Sequence, residues 1–389
     1  MNNFSLFKCI FWMLLIQYGL IFIGGDGFNI FDKILIVYIL FKSIPYWNYI
    51  GKLYKISVFI FIFIGVLSNI VYKIQVLPGV INDLFLYMKF PIALFGGYLY
   101  GANNYDLSVE YDYIKKYCPI IAKSLAVVLF SNLFLGILPE FYEYLGPIKT
   151  QMLFFGHPTF MAATLFFYLS LYLFVNDKNK EDYIVISLFV IMIFLTSRMK
   201  AIGTLMVLLY FLYKQIRNKE ITLKIREILV ISIFCIILAW DKFVFYFVDN
   251  ANYARGLILF NAIQIANEYF PIGAGFGSFA SSGSMKYLSP LYEQYEMYNP
   301  DDIFANDSFI ATVLSQTGYL GLIVYFMLIF LLIIKLMKIS DSNRLLSVLV
   351  LLVYILICCI GEVSFFAVYI VPMAFWIGLQ LGQEYNSKI

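Results

Sequence analysis

The sequence predicts an all-α polytopic membrane protein with about twelve transmembrane helices and one large extracytoplasmic loop. Three observations predict it. Hydrophobic residues make up 62% of the 389 and charged residues only 13%, with a mean hydropathy of +0.85, which is the composition of a chain whose solvent is lipid. The apolar residues gather into runs near the roughly 20-residue length that a helix needs to cross a hydrocarbon core about 30 Å thick. Those runs lack the alternation of barrel strands, so helices are left to satisfy the backbone polar groups.

In order, the spans are expected at 6–24, 28–44, 54–72, 82–101, 119–138, 153–175, 182–197, 201–214, 227–247, 308–334, 345–361 and 365–382. The first, "FKCIFWMLLIQYGLIFIGG", begins like a signal peptide. It is of full span length and lacks a small-residue cleavage site, so it is read as a retained helix. The remaining spans are separated by connections that carry nearly all the Lys and Arg. Eighteen of the 27 cations fall in one alternate set, among them Lys8, Lys52, Lys115, Lys178, Arg217 and Lys335. The other set holds eight: Lys33, Lys73, Lys149, Arg198, Lys200, Lys242, Arg255 and Lys286. The positive-inside rule then puts both termini in the cytoplasm and the "TSRMK" turn on the outer face.

The same topology leaves residues 248–307 outside, as a large loop within one polytopic domain that spans 1–389. Asp249, Glu268, Glu293, Glu296, Asp301, Asp302 and Asp307 outnumber Arg255 and Lys286 there, which argues against a nucleic-acid partner. The five cysteines fall in or beside apolar spans, so neither a disulfide framework nor a cysteine metal site is expected.

Each candidate site residue has a structural alternative. Arg198 and Lys200 are either snorkelling anchors or ligands for an anion on the face where cations are scarcer. Arg255 stands near the start of a helix expected from about Tyr253 to Asn267, where a salt bridge to Asp249 would also explain it. Pro271 ends that helix. Gly273, Gly275 and Gly277 follow, either to let backbone N–H groups approach a ligand or to form a bend. Asn306, Asp307 and Ser308 are helix-cap types, while the Asp307 carboxylate could instead orient a hydroxyl. His157 precedes Pro158 and is either a helix-start residue or a polar contact for substrate. Lys89 in "YMKFPIALFGG" and Glu362 in "CCIGEVSFF" are ionisable groups at membrane depth and so candidates by default.

The order "GHP" at 156–158, "TSRMKA" at 196–201, Arg255 with "FPIGAGFGSF" at 270–279, and "NDSFIATVLSQTGYLGLIVYF" at 306–326 resembles the O-antigen polymerase and ligase superfamily. The matched motifs cover roughly residues 150–330, and the first five spans match only as hydrophobic spans. The resemblance implies a GT-C-like, membrane-embedded glycosyltransferase. Such an enzyme of the Wzy type moves a growing glycan from undecaprenyl pyrophosphate to the next lipid-linked repeat unit, in O-antigen or capsular polysaccharide biosynthesis. Ligases of the superfamily, whose acceptor is lipid A core, commonly carry a His-Asn pair at the loop-helix junction. This chain has Asn306-Asp307 instead.

In that scheme Arg198, Arg255 and Asp307 are catalytic, with the arginines holding the pyrophosphate through their forked donors and Asp307 acting on the acceptor hydroxyl. Lys200, Lys89, His157, Asn306, Gly275 and Gly277 would bind substrate. No cofactor and no metal are expected. The partners are the lipid-linked donor and acceptor, membrane lipid and a chain-length regulator protein. A ligase and a lipid-linked oligosaccharide flippase or other transporter are the alternatives, although no related halves of the transporter kind are visible.

Overall fold

The computed structural model describes residues 3–25, 30–49, 51–103, 107–145, 148–217, 221, 223–244, 254–297, 308–359 and 361–386. The chain opens with α1 (Asn3–Gly24), α2 (Phe31–Ser43), α3 (Lys52–Tyr72) and α4 (Leu77–Asn103). Helix α5 (Ser108–Leu135) leads into an antiparallel hairpin of β1 (Glu140–Leu145) and β2 (Ile148–Gln151), in which Tyr144 faces Lys149. Next come α6 (Pro158–Phe174), α7 (Lys180–Leu195), α8 (Met199–Ile216) and α9 (Ile225–Val244). The long connection contains α10 (Ala254–Glu268), α11 (Ser282–Lys286) and α12 (Pro290–Gln294). Helices α13 (Phe309–Leu336), α14 (Ser342–Cys359) and α15 (Ile370–Asn386) complete it.

A helix stands at every expected span, and among the described residues seven are long and apolar enough to cross a membrane. The protein is a predominantly helical, multi-pass membrane protein. Helix α2, with 13 residues, reaches only about 20 Å. The sixth helix starts at Pro158 rather than at 153, because Gly156 turns the chain at φ +73° and His157 is the extended cap ahead of a proline at the first helical position. The fifth starts at Ser108 rather than at 119. Pro119 lies inside it, and the buried stripe Ile114, Cys118, Ile121 and Leu125 continues through the proline.

Polar contacts sort the helix ends into two groups. At one end the start of α8, the start of α6 and the segment after α14 meet through Lys200, Thr159 and Glu362. At the opposite end Lys115 of α5 binds Asp177, between α6 and α7, and Asp182, in the first turn of α7, while Arg344 of α14 pairs with Glu384 of α15. Early and late helices interleave, α3 against α13, α6 against α14 and α4 against α15.

The last pair shows what drives association where lipid supplies no hydrophobic force. Gly97 and Gly101 of α4 face Gly378 and Gly382 of α15, and a Cβ at each would come within 1.9 to 2.2 Å of a carbonyl oxygen of the opposing backbone. Two small-xxx-small faces therefore meet backbone to backbone, and dispersion contacts hold them.

The connection expected to be a soluble loop is partly built into the bundle. Its helices close over a small core of Ile258, Ile265, Phe279, Leu291 and Tyr292. Phe276 is fully buried, 5.2 Å from the Tyr87 ring and 5.9 Å from Phe61. Helix α13 breaks at Gly318, where φ is +64° and ψ −168°, and the loop backbone fills the break: Ala274 and Gly275 donate to the Ser315 and Gln316 carbonyls, and Leu320 donates to Pro271. Unwound backbone at this depth is tolerated because protein groups satisfy it.

Candidate functional site

Arg198 caps α8 with extended backbone, after Ser197 at φ +53°. The side chain is held from three sides. Nη1 lies 3.0 Å from Glu143 Oε2 of the hairpin, the guanidinium carbon sits 4.6 Å over the Phe141 ring, and Nη2 lies 3.1 Å from His157 Nε2. Phe141 and Glu143 both lie where the register of β1 shifts, between Glu140 and Tyr144, and both reach the same group.

His157 also accepts at Nδ1 from the Thr159 N–H, at 3.2 Å. An imidazole that accepts there carries its hydrogen at Nε2, facing a guanidinium that can only donate. The two donors are too close to admit an atom between them, and an anion seated beside the pair can accept from both. Arg198 Nε adds a third donor, buried and with no hydrogen-bond partner among the described residues.

Lys200, two residues after Arg198, is paired. Its Nζ lies 2.5 Å from Glu362 Oε1, which also accepts from the Thr159 hydroxyl at 3.0 Å. Arg198, His157, Thr159, Glu362 and Lys200 thus form one chain of contacts, with Glu143 and Phe141 as its outer wall. Sequence reasoning named Arg198, His157, Lys200 and Glu362 but neither Glu143 nor Thr159. The alternating "EFYEYL" ahead of a Gly-Pro pair was the available signal for the hairpin.

Lys89 lies elsewhere. It forms a buried pair with Asp32 of α2 at 2.5 Å and donates to the Phe366 carbonyl at 3.0 Å. Sequence reasoning saw the cost of burying Lys89 but missed the acid that offsets it.

The glycines expected to approach substrate are committed to packing. The Gly275 N–H is used by Gln316, and a Cβ on Gly275 would lie 2.5 Å from the Asn69 amide. Gly277 abuts the Gly79 backbone, and its carbonyl accepts from Gln75 at 2.7 Å. Asn69 pairs with both polar groups of the Phe276 backbone. Glycine at these positions is explained by close approach and by φ of +95° and +76°.

Arg255 lies in the first turn of α10, and its side chain is outside the described residues, as are Asn306 and Asp307. The cap of α13 is Ser308, whose hydroxyl accepts from the Ala311 N–H at 3.4 Å.

The chain matches no protein-family model and no curated protein sequence. The site therefore speaks through its own chemistry. Among the described residues no group of three His, Cys, Asp or Glu is placed to hold a metal ion. What the Arg198 cluster presents is convergent hydrogen-bond donors, with each of its two cations paired to a carboxylate, at the end of the bundle where the long connection docks.

Proposed function

We propose that this protein is a membrane-embedded glycosyltransferase that joins undecaprenyl-pyrophosphate-linked oligosaccharide units into O-antigen or capsular polysaccharide. The reading takes the GT-C-like, twelve-span form, in the bacterial inner membrane with both termini cytoplasmic and the active face periplasmic. The single observation that supports it best is the meeting of Arg198 Nη2 with His157 Nε2 at 3.1 Å, beside a buried Arg198 Nε that has no hydrogen-bond partner among the described residues. That arrangement suits the negative charge of a pyrophosphate leaving group.

In the proposed reaction an acceptor sugar hydroxyl attacks the anomeric carbon of the donor. The new C–O bond forms as the bond from that carbon to pyrophosphate breaks, and undecaprenyl pyrophosphate departs with the electron pair. Arg198 and Arg255 hold its charge, and Asp307, beside Asn306, takes the hydroxyl proton. Lys200, neutralised by Glu362, fixes the wall on which His157 and Thr159 sit. Donor and acceptor lipids are the proposed partners, together with a chain-length regulator.

The test is surface-glycan analysis in a strain lacking the gene. Loss of long chains with one repeat unit retained is the expected result. Accumulation of complete lipid-linked polymer would instead indicate a ligase, and unchanged glycan would refute both.

A further inference from the structure

A cavity of about 870 Å³ lies between the starts of α2 and α4, helix α11 and the 363–368 segment. Its polar lining is Lys33, Lys89, Lys286, Asn82 and Ser282. Three lysines from segments far apart in sequence thus line one cavity. Asp32 neutralises Lys89. Among the described residues Lys33 and Lys286 form no ion pair; Lys286 lies 5.6 Å from the Tyr287 ring centre, and both side chains are exposed. Two of the three donors of Lys89 are used by Asp32 and Phe366, and the third has no acceptor among those residues. The cavity therefore carries surplus positive charge and spare donors, which an anion of about two charges would balance.

Snorkelling anchors would give scattered lysines at helix ends, each extended toward water. The apolar part of the groove adds what that reading lacks. On α2 the buried residues Asp32, Ile36, Ile39 and Ser43 face the bundle, whereas Ile30, Ile34, Val37 and Phe41, at the same helical spacing, are exposed on the other side. Ile30, Ile34 and Val37 line the cavity, and Phe41 continues their row for another turn. Positive charge at one end of an apolar stripe about 16 Å long is the complement of a lipid with an anionic head. A free phosphate would gain nothing from the stripe.

We propose that this groove takes a membrane lipid headed by a phosphate or pyrophosphate, its head among Lys33, Lys89 and Lys286 and its hydrocarbon along the α2 stripe. The inner wall of the groove is shared with the Arg198 cluster. Phe160, which lines the groove, follows Thr159 and has its ring 5.6 Å from that of His157, and Val363, also in the lining, follows Glu362. A lipid seated here has its head beside the proposed reaction centre. Naming undecaprenyl pyrophosphate as the native occupant rests on the function proposed above; the chemistry of the groove does not.

The experiment is native mass spectrometry of the purified full chain in detergent, titrated separately with undecaprenyl phosphate, phosphatidic acid and phosphatidylcholine, with inorganic pyrophosphate measured by calorimetry. The two anionic lipids should bind in preference to phosphatidylcholine, and inorganic pyrophosphate should bind far more weakly than either. Lys33→Gln combined with Lys286→Gln should weaken lipid binding about thirty-fold, and the paired Arg variant should retain it. Both lysines are exposed, so loss of fold does not confuse the result. Unchanged lipid affinity in the Gln pair would overturn the groove, and pyrophosphate binding as tight as lipid would overturn the tail stripe. If the Gln pair loses lipid binding yet makes normal polymer, the lipid site stands and its link to polymerisation falls. If it binds lipid normally and makes no polymer, the groove falls and the enzyme reading survives.

Discussion

Arg198 was legible in the sequence because a fixed cation between two apolar runs, on the side where cations are scarce, stands out against its surroundings. Its partners were not legible. Glu143 and Phe141 come from a hairpin, and His157 from the cap of another helix; no local pattern links the three. The geometry makes the guanidinium fork, rather than charge alone, the feature that carries the site. On the transferase function proposed above, Arg198→Ala should lower polymer output about a hundred-fold or more at matched protein abundance, and Arg198→Lys should recover little, because a point charge cannot face Glu143, His157 and a ligand together. Polymer is read as a glycan ladder on a gel. Full output from Arg198→Lys would reduce Arg198 to an anchor. The same limit applied to Lys89, since the sequence showed the cost of its burial and only the fold supplied Asp32.

Helices were legible as elements because hydropathy and length act locally, but their faces were not. The spans carry so little polarity that rotation about each helix axis leaves few marks. Small residues were the marks overlooked, and the "GYLYG" of α4 and "GLQLG" of α15 are the two that meet. A Cβ at Gly97 would sit 1.9 Å from the Phe375 carbonyl oxygen, so the helices must separate to admit it. Gly97→Ala and Gly378→Ala should each destabilise the protein by about 1–3 kcal/mol, read as a fall in thermal midpoint in detergent. Gly19→Ala, with open space around the glycine, should not. Equal midpoints in all three variants would mean that α4 and α15 do not pack this way. The "GAGFG" stretch teaches the converse. Its glycines were conspicuous, but only the broken α13 shows that they admit a neighbouring backbone.

At the scale of the whole molecule, the Lys and Arg count predicts a sidedness that the two groups of helix ends allow to be tested cleanly. Glu293 on α12 and Lys180 at the start of α7 are both exposed and lie toward opposite ends. In a background without the exposed native Cys9, Glu293→Cys should react with an impermeant thiol reagent in intact cells, and Lys180→Cys only after permeabilisation. The reverse pattern would place the Arg198 cluster on the cytoplasmic face, away from any periplasmic substrate. By itself the sequence determined the solvent of this protein, the positions of its helices and the scarce cations worth attention, because all three follow from local composition and from the fixed thickness of a bilayer. Tertiary structure alone decided which cations are paired, which glycines are packing surfaces, and that Lys33, Lys89 and Lys286 share a cavity. Those outcomes depend on contacts between helices distant in sequence, and in lipid such contacts are set by shape and by the need to satisfy every buried polar group rather than by hydropathy.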